Sequence, residues 1–381
     1  MNNRYQKPLR ILFVTHCVHM GGANRAMLTL INILRKYNIE AEVVVPNNAD
    51  NVKPSIADYL KKCKITYYEE KYHFYRVNCK KSILRYFMNI PHYIHLIYKI
   101  RNIKYDLVHS NSSFTDLGAW IGIIRRIPHI WHLREFGNWD NSYPAMGKCY
   151  DRFLTSRVTR GIAISKCQFK FFLPLFPKDK LEVIYDGVEV VPYDTAKKTH
   201  IPVFRICLVG NLCEGKNQIL SLQAAKILKQ RNIAFKLYLI GREGPYKSVL
   251  ENYINDNHLK EYVEITGEVN DVDKRLYDMD CGLTLTNNEA FGLVTVEYML
   301  HKLPVIVTCS GANPELVTDG LNGYILSKNS PEELANYINI IINDRLAGQK
   351  MGENGYQRAI CNFTAEKNAE KIAELYFEIT S

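Results

Sequence analysis

Glu289-Ala-Phe-Gly-Leu-Val-Thr-Val-Glu297, followed by Tyr298-Met-Leu-His-Lys-Leu-Pro304 and Val305-Ile-Val-Thr308, is the stretch that decides the fold. The apolar run Leu283–Thr286 before it reads as a strand, the turn near Asn287 carries the first carboxylate, and a helix is expected from about Phe291. Pro304 then ends the helix and a β-branched strand follows. Strand, helix and strand in this order make a parallel unit whose helix begins at the carboxyl edge of the sheet. The unpaired N–H groups of its first turn, around Phe291, Gly292 and Leu293, form an anion site, and the missing side chain of Gly292 lets a diphosphate approach the backbone. Glu297, about two turns further on, can accept hydrogen bonds from vicinal hydroxyls, as acidic residues do for ribose in other nucleotide folds. An arbitrary pair of glutamates at this spacing is a solvated helix face; the flanking Ala-Phe-Gly, the strand before and the proline and strand after favour a ligand site instead.

The same alternation of β-branched runs and amphipathic stretches extends over almost the whole chain. In the second half the other expected strands are Phe204–Gly210, Lys236–Gly241 and Val263–Gly267. In the first half they are Arg10–His16, Ala41–Val45, Asp106–Ser110, His129–His132 and Gly161–Ser165, with helices such as Ala23–Tyr37 and Asp116–Arg126 between them. A stretch rich in proline and polar residues, Val190–Pro202, interrupts the pattern as a linker. The expected architecture is α/β: two Rossmann-like, doubly wound parallel-sheet domains, residues 1–195 and 196–363, facing a cleft between them. A last helix, 364–381, carries Ala369, Ile372, Ala373, Leu375 and Tyr376; it follows the second sheet without extending it and is expected to pack back on the first domain.

Length agrees with this division, because 381 residues exceed what one core organises and two domains of about 150–200 residues are the natural partition. No uncharged apolar run approaches a membrane span, and the polar start, Met1–Arg10, leads straight into a strand. Neither a span nor a signal peptide is expected, which places the protein in the cytoplasm. Ten cysteines are scattered with no C-x-x-C pair, the pattern of free thiols in a reducing compartment and not of a disulfide framework or a zinc site. Charge divides unevenly: residues 1–200 hold 31 Lys and Arg against 16 Asp and Glu, and 201–381 hold 18 against 23, giving +15 and −5. The first half therefore prefers an anionic surface. Within it, residues 61–104 combine eleven Lys and Arg with two Glu and with tyrosines and phenylalanines from Tyr67 to Tyr98, among them Phe74 and Tyr75. Two readings stand: an interfacial surface that meets anionic headgroups on the inner face of the cell membrane, or a solvated helix face over an aromatic core. No nucleic-acid-binding module is visible, so nucleic acid is not an expected partner.

Residues 281–326 resemble the donor-site signature of family 4 of the retaining glycosyltransferases, which have the GT-B fold, and the resemblance extends over nearly the whole chain. It takes in Gly21-Gly22-Ala23 after the first strand, His132 at a strand end, Ser165, Asp186-Gly187-Val188, Val209-Gly210 through Lys216, Gly241 to Pro245, Gly267-Glu268-Val269 and Gly320 to Gly323. The resemblance implies that Glu289 lies beside the donor sugar, that Glu297 binds the ribose, and that Lys216 stabilises charge on the departing diphosphate. It further implies that His132 sits near the sugar's C6 hydroxyl and the reacting centre, and that anomeric configuration is retained. His132, Lys216 and Glu289 are thus the expected catalytic residues. A nucleoside diphosphate sugar is the implied donor, with uridine the base on frequency, and a saccharide or lipid-linked acceptor in cell-surface polysaccharide or glycolipid synthesis is the implied second substrate. One position departs from the pattern. Where the family has an arginine this chain has Asn211, which donates hydrogen bonds but carries no charge; either Lys216 works with another cation such as Arg242 or turnover is lower.

Gly21 and Gly22 offer close backbone approach to the transferred sugar, or simply a tight strand–helix turn. Val269 lies in the loop expected to shape the base pocket. His16, His19 and His129 are read as structural, and Arg134 and Glu135 as orienting an acceptor or pairing with each other. Two Asp-x-Asp sequences, Asp271-Val-Asp273 and Asp278-Met-Asp280, are read as solvated or capping carboxylates, so neither a metal nor another cofactor is expected. The whole reading is a metal-independent transferase of hexose or N-acetylhexosamine whose donor is bound by Gly21, Gly22, Asn211, Arg242, Val269, Phe291, Gly292, Leu293 and Glu297. Its rivals are a nucleotide-sugar epimerase of the same fold and a degenerate partner subunit that binds sugar nucleotide without turning it over.

Overall fold

Runs of β-branched and aliphatic residues form two all-parallel sheets. In the computed structural model, which describes residues 7–47, 54–72, 80–136, 148–191, 203–269 and 271–381, the first sheet holds β1 (Leu9–Val14), β2 (Ile39–Pro46), β3 (Tyr67–Glu70), β4 (Leu107–Ser110), β5 (His129–Leu133), β6 (Arg160–Ala163) and β7 (Leu181–Val183). The second holds β8 (Phe204–Val209), β9 (Phe235–Ile240), β10 (Val263–Gly267), β11 (Cys281–Thr284), β12 (Val305–Thr308) and β13 (Gly323–Leu326). Strand order is β3-β2-β1-β4-β5-β6-β7 in one and β10-β9-β8-β11-β12-β13 in the other. Each order reverses beside its first strand, between β1 and β4 and between β8 and β11, where the following loops diverge and leave room for a ligand. The strands missing from the sequence reading, β3, β7 and β13, are edge strands, incompletely buried and so without the continuous apolar run of the central ones.

β1 shows how burial on both faces dictates composition. Leu9, Ile11 and Phe13 share one cluster with Met27, Leu30 and Ile31 of the helix Gly22–Leu34 and with Ile372 and Tyr376 of the helix Ala365–Thr380. Leu12 and Val14 join Tyr93 and Leu96 of the helix Lys80–Lys99 and Leu117 and Ile121 of the helix Leu117–Arg125. Alternate residues of a central parallel strand are both interior, so the strand reads as continuously apolar. Its exception, Arg10, donates from Nε to buried Glu42 at 3.1 Å. The second sheet follows the same rule: Phe204, Ile206 and Leu208 pack with Leu220, Ala224 and Leu228 of the helix Gln218–Gln230.

Two compact units result, one of Met1–Gly187 with Ala365–Ser381 and one of Val188–Thr364. The division falls ahead of the 195/196 boundary read from the sequence, since Val188 N bonds to Phe363 O at 2.9 Å within the second unit. Most of the linker stretch, residues 192–202, lies outside the described residues.

Of residues 61–104, the stretch 73–79, including Phe74 and Tyr75, lies outside the described residues. Tyr72 and Tyr93 are buried in the core, whereas the helix Lys80–Lys99 leaves Leu84, Phe87, Met88, Ile94 and Tyr98 exposed. At 100° per residue these five fall on one side of the helix. Among the described residues no helix is long and apolar enough to cross a membrane.

Among the described residues two acids, Asp151 and Asp186, are enclosed without a full set of partners. Asp151, on the helix Lys148–Arg157, is buried and its Oδ2 has no hydrogen-bond partner. Burial first, and the charge of Asp116 second, raise its pKa from 3.8 to about 7. An acid whose folded-state pKa is raised keeps its proton longer in the folded chain, so stability falls as pH rises from 3.8 to about 7 and stays at the lower level above. Asp151→Asn is expected to remove that loss, a difference of about 1–3 kcal/mol between pH 5 and pH 8. Buried histidines act the other way in both proteins and cancel. Denaturant unfolding of parent and variant across that range is the check, and identical pH slopes would refute the assignment.

Candidate functional site

The switch point of the second sheet brings the loops after β8 and β11 together. The first runs from Gly210 to a short 3-10 turn, Glu214–Lys216; the second runs from Thr286 to Gly292. Lys216 Nζ lies 3.2 Å from Glu289 Oε2, and Thr286 Oγ1 donates to the same oxygen at 2.8 Å. The pair is reachable from outside, with side chains 31% and 16% exposed. The lysine stem lies back over Gly210, where a Cβ would meet it at 3.2 Å.

Glu289 is fixed through its backbone as well. Its carbonyl accepts from Ala312 N at 2.8 Å, and Gly311 packs so closely that a Cβ there would sit 2.1 Å from the same oxygen. The helix that follows is Leu293–Leu300, starting after Phe291 because Gly292 takes φ +101° and ψ 53°, a left-handed conformation suited to glycine. A glycine cap covers none of the first-turn N–H groups with a side chain. Phe291 turns its ring inward, 5.7 Å from that of Phe363, so only its backbone faces the turn. Tyr298 pins the helix to the sheet: its buried hydroxyl accepts from Val209 N at 2.7 Å and lies 3.4 Å from Leu283 O. A Cβ on Gly282 would strike that ring, at 2.3 Å.

Glu297 is half-buried on this helix, and its carbonyl accepts from His301 Nδ1 at 2.8 Å. Asn211 and Arg242 are exposed, in loops joined by Leu212 N to Arg242 O at 2.9 Å. Val269 is half-buried just beyond β10. The aspartates of the two Asp-x-Asp sequences are engaged by protein groups: Asp271 caps the helix Val272–Leu276 at 3.0 Å from Lys274 N, Asp273 faces His301, and Asp278 and Asp280 face Arg205.

In the first unit the strand ends carry a second polar set. Asn111 Nδ2 donates to Ala23 O at 3.0 Å, Arg134 Nε donates to Asn111 Oδ1 at 2.9 Å, and Arg134 pairs with Asp186. The sequence reading of an Arg134–Glu135 pair is replaced by this one, because Glu135 instead accepts from Ser112 Oγ at 2.9 Å and Ser113 N at 3.3 Å. His132 lies 3.2 Å from His109 Nε2 through its Nδ1 and 3.7 Å from Asp186 Oδ1 through its Nε2. It is wholly enclosed, so its ring meets only protein. Burial, with Arg134 adding to it, holds His132 and His109 well below the ordinary histidine pKa, and both rings are neutral. Burial alone lowers His129 to about 3; its Nε2 lies 2.9 Å from Ser110 Oγ.

Gly21 caps the helix Gly22–Leu34 with φ −78° and ψ 178°, an ordinary extended conformation, and a Cβ there would meet nothing within 4 Å. A tight turn therefore does not account for this glycine; the space above it is open. Thr286, Gly311 and Tyr298 escaped the sequence reading, although Thr286 stands at a strand end three residues before Glu289, the position from which a hydroxyl reaches back to it.

Comparisons with known proteins bear on both units. Residues 20–191 match the family described as Glycosyltransferase Family 4, and residues 197–358 match that described as Glycosyl transferases group 1. A glycosyltransferase of Methanocaldococcus jannaschii is 28% identical over 81% of this chain and 89% of its own. The alpha-monoglucosyldiacylglycerol synthase of Acholeplasma laidlawii is 24% identical over 63% of this chain and 67% of its own. Among solved structures, Anabaena HepE in complex with UDP and glucose superposes with a TM-score of 0.77 over 96% of this chain and 99% of that one, at 21% identity.

Two glycine substitutions separate backbone need from open space. Gly311→Ala, at φ +57° and against Glu289, is expected to cost about 2 kcal/mol or more, and Gly21→Ala less than about 0.5 kcal/mol. Chemical denaturation measures both, and equal costs would contradict the packing described for Gly311.

Proposed function

We propose, for a chain that belongs to the family 4 glycosyltransferases and has their GT-B fold, that it moves a hexose or N-acetylhexosamine from a UDP-sugar to a saccharide or lipid-linked acceptor with retention of anomeric configuration and without a metal ion. The observation that carries this reading is the Lys216–Glu289 pair at 3.2 Å beside the glycine-capped start of the helix Leu293–Leu300. A diphosphate seated there meets first-turn N–H groups, the positive end of the helix dipole and one lysine. Glu289 faces the sugar and Glu297 accepts from the ribose hydroxyls. HepE, solved with UDP and glucose, supports a uridine nucleotide, and the diacylglycerol product in the name of the Acholeplasma relative supports a lipid acceptor.

In the reaction the acceptor hydroxyl attacks the anomeric carbon from the face that the diphosphate leaves. The carbon–oxygen bond to phosphate breaks with its electron pair on the diphosphate, a carbon–oxygen bond to the acceptor forms, and the hydroxyl proton ends on the departing phosphate. Negative charge grows on the diphosphate, so Lys216 and the helix start act more strongly as the bond stretches than before it. Asn211 can donate a hydrogen bond to it, and exposed Arg242 is the further cation in the adjoining loop. His132, being enclosed, contributes through the groups that it holds and not by touching the sugar in this conformation. The exposed stripe Leu84, Phe87, Met88, Ile94 and Tyr98, in a basic segment, suits an anionic membrane surface where a lipid acceptor would be met.

Glu297→Ala is expected to weaken UDP binding by about 1–3 kcal/mol by calorimetry, and unchanged affinity would mean that the nucleotide sits elsewhere. Lys216→Ala is expected to lower turnover about 10²-fold with a smaller loss in donor affinity. Release of nucleoside diphosphate from a panel of activated sugars provides the assay; binding without any release would favour the degenerate-subunit reading. Replacing Phe87 and Ile94 together by serine is expected to abolish flotation with phosphatidylglycerol vesicles, and parent protein that fails to float would rule the membrane surface out.

A further inference from the structure

Tyr376, on the last helix of the chain, is fully buried and its hydroxyl lies 2.7 Å from His109 Nδ1. His109 Nε2 lies 3.2 Å from His132 Nδ1, and Arg134 Nη2 lies 3.5 Å from that same Nδ1. At its far side His132 presents Nε2, without a hydrogen-bond partner, to Asp186 Oδ1, which also lacks one, at 3.7 Å. Arg134 links the group onward to Asp186 and, through Asn111, to the carbonyl of Ala23 beside the Gly21-Gly22 turn.

Neutral imidazole carries one hydrogen, so each ring donates at one nitrogen and accepts at the other. Arg134 has only hydrogens to offer, which makes His132 Nδ1 an acceptor; the carboxylate of Asp186 repels a bare lone pair, which puts the hydrogen of His132 on Nε2. His109 must then donate from Nε2 and accept at Nδ1, and the one group there to donate is the Tyr376 hydroxyl. Arg134 and Asp186 both impose this direction at His132, and the Tyr376 hydroxyl, able to donate or accept, follows it. The alternative, with every hydrogen reversed, sets an N–H of His132 against Arg134 and a lone pair against Asp186.

We infer that Tyr376 is a positioning residue: by donating to His109 Nδ1 it fixes the far end of a hydrogen-bond chain whose direction Arg134 and Asp186 set at His132, and so holds His109 and His132, and with them Asp186, Arg134, Asn111 and the backbone at the Gly21-Gly22 turn, in register. The inference rests on the sequence reading of that turn as one of close backbone approach to the transferred sugar, and it goes beyond it by giving the C-terminal helix a part in holding the turn. Tyr376→Phe keeps the ring that packs in the core and removes only the hydroxyl.

The test uses the full chain labelled with 15N-histidine. Long-range nitrogen–proton correlations are expected to give His132 as the Nε2–H tautomer, unchanged from pH 5.5 to 8, and His109 as Nε2–H in parent and Tyr376→Phe alike, with the His109 Nδ1 resonance of the variant moved downfield because that acceptor has lost its donor. Turnover of the variant is expected to fall about tenfold with UDP affinity unchanged and only the small drop in melting temperature that one unpaired buried acceptor brings, a split that a merely structural tyrosine would not produce. His132 found as Nδ1–H, or a variant with a parental His109 Nδ1 resonance or parental turnover, would overturn the inference. Parent protein that turns over no sugar nucleotide would count against the proposed function, while the tautomers would still decide this point.

Discussion

A glycine cap leaves the start of the helix Leu293–Leu300 bare of side chains, and in the second unit the groups around it hold that start in place. Gly292 supplies the bareness by taking a left-handed conformation at the cap. Tyr298 supplies the anchorage, since one hydroxyl reaches the backbone of β8 and of β11 and ties the helix across the switch point. Gly282 and Gly311 are small for the same reason seen from the other side: one admits the Tyr298 ring and the other admits the backbone of Glu289. Lys216 and Glu289 then meet between the two loops, with Thr286 holding the carboxylate in place. Preorganisation of this kind costs the folded chain strain and burial in advance and spares reorganisation when a ligand arrives.

The first unit solves a different problem. Its strand ends gather two histidines, an arginine, an aspartate and an asparagine, nearly all of them buried. Such a cluster is costly unless its members satisfy one another, and here most of the hydrogen-bonding atoms are matched, with the Arg134–Asp186 ion pair at the centre. The unmatched atoms, on His132 and Asp186, face each other. Sheets of the same strand order thus end in opposite ways, one in an open pair of charges and the other in a closed polar network.

Much of this was legible in the sequence, and the exceptions have physical causes. Central strands show in the sequence because burial on both faces forces an apolar run, as in Leu9–Val14; β7, with three residues at a sheet edge, carries no such constraint. The stretch from Glu289 to Thr308 announces its turn, helix and strand because glycine, proline and carboxylates punctuate it locally. What sequence could not show was depth and distance. His132 reads as a strand-end histidine free to reach a ligand, yet Tyr376, far along the chain, closes its neighbourhood. Arg134 stands next to Glu135 but spends its charge on Asp186, since adjacent residues on extended backbone point apart. The aromatic residues of 61–104 serve both the core and the exposed stripe, because a helix has two sides and composition does not tell them apart.

The helix Ala365–Thr380 completes the core of a unit that begins at the other end of the chain. During synthesis the ribosome emits all of the second unit before it emits this helix. Until then the face of β1 that carries Leu9, Ile11 and Phe13 lacks Ile372 and Tyr376 as cover. The amino-terminal half therefore matures last although it is made first, and it spends that interval with apolar surface for chaperones to mask. A nonsense codon just ahead of this helix leaves a core made long before it permanently unroofed.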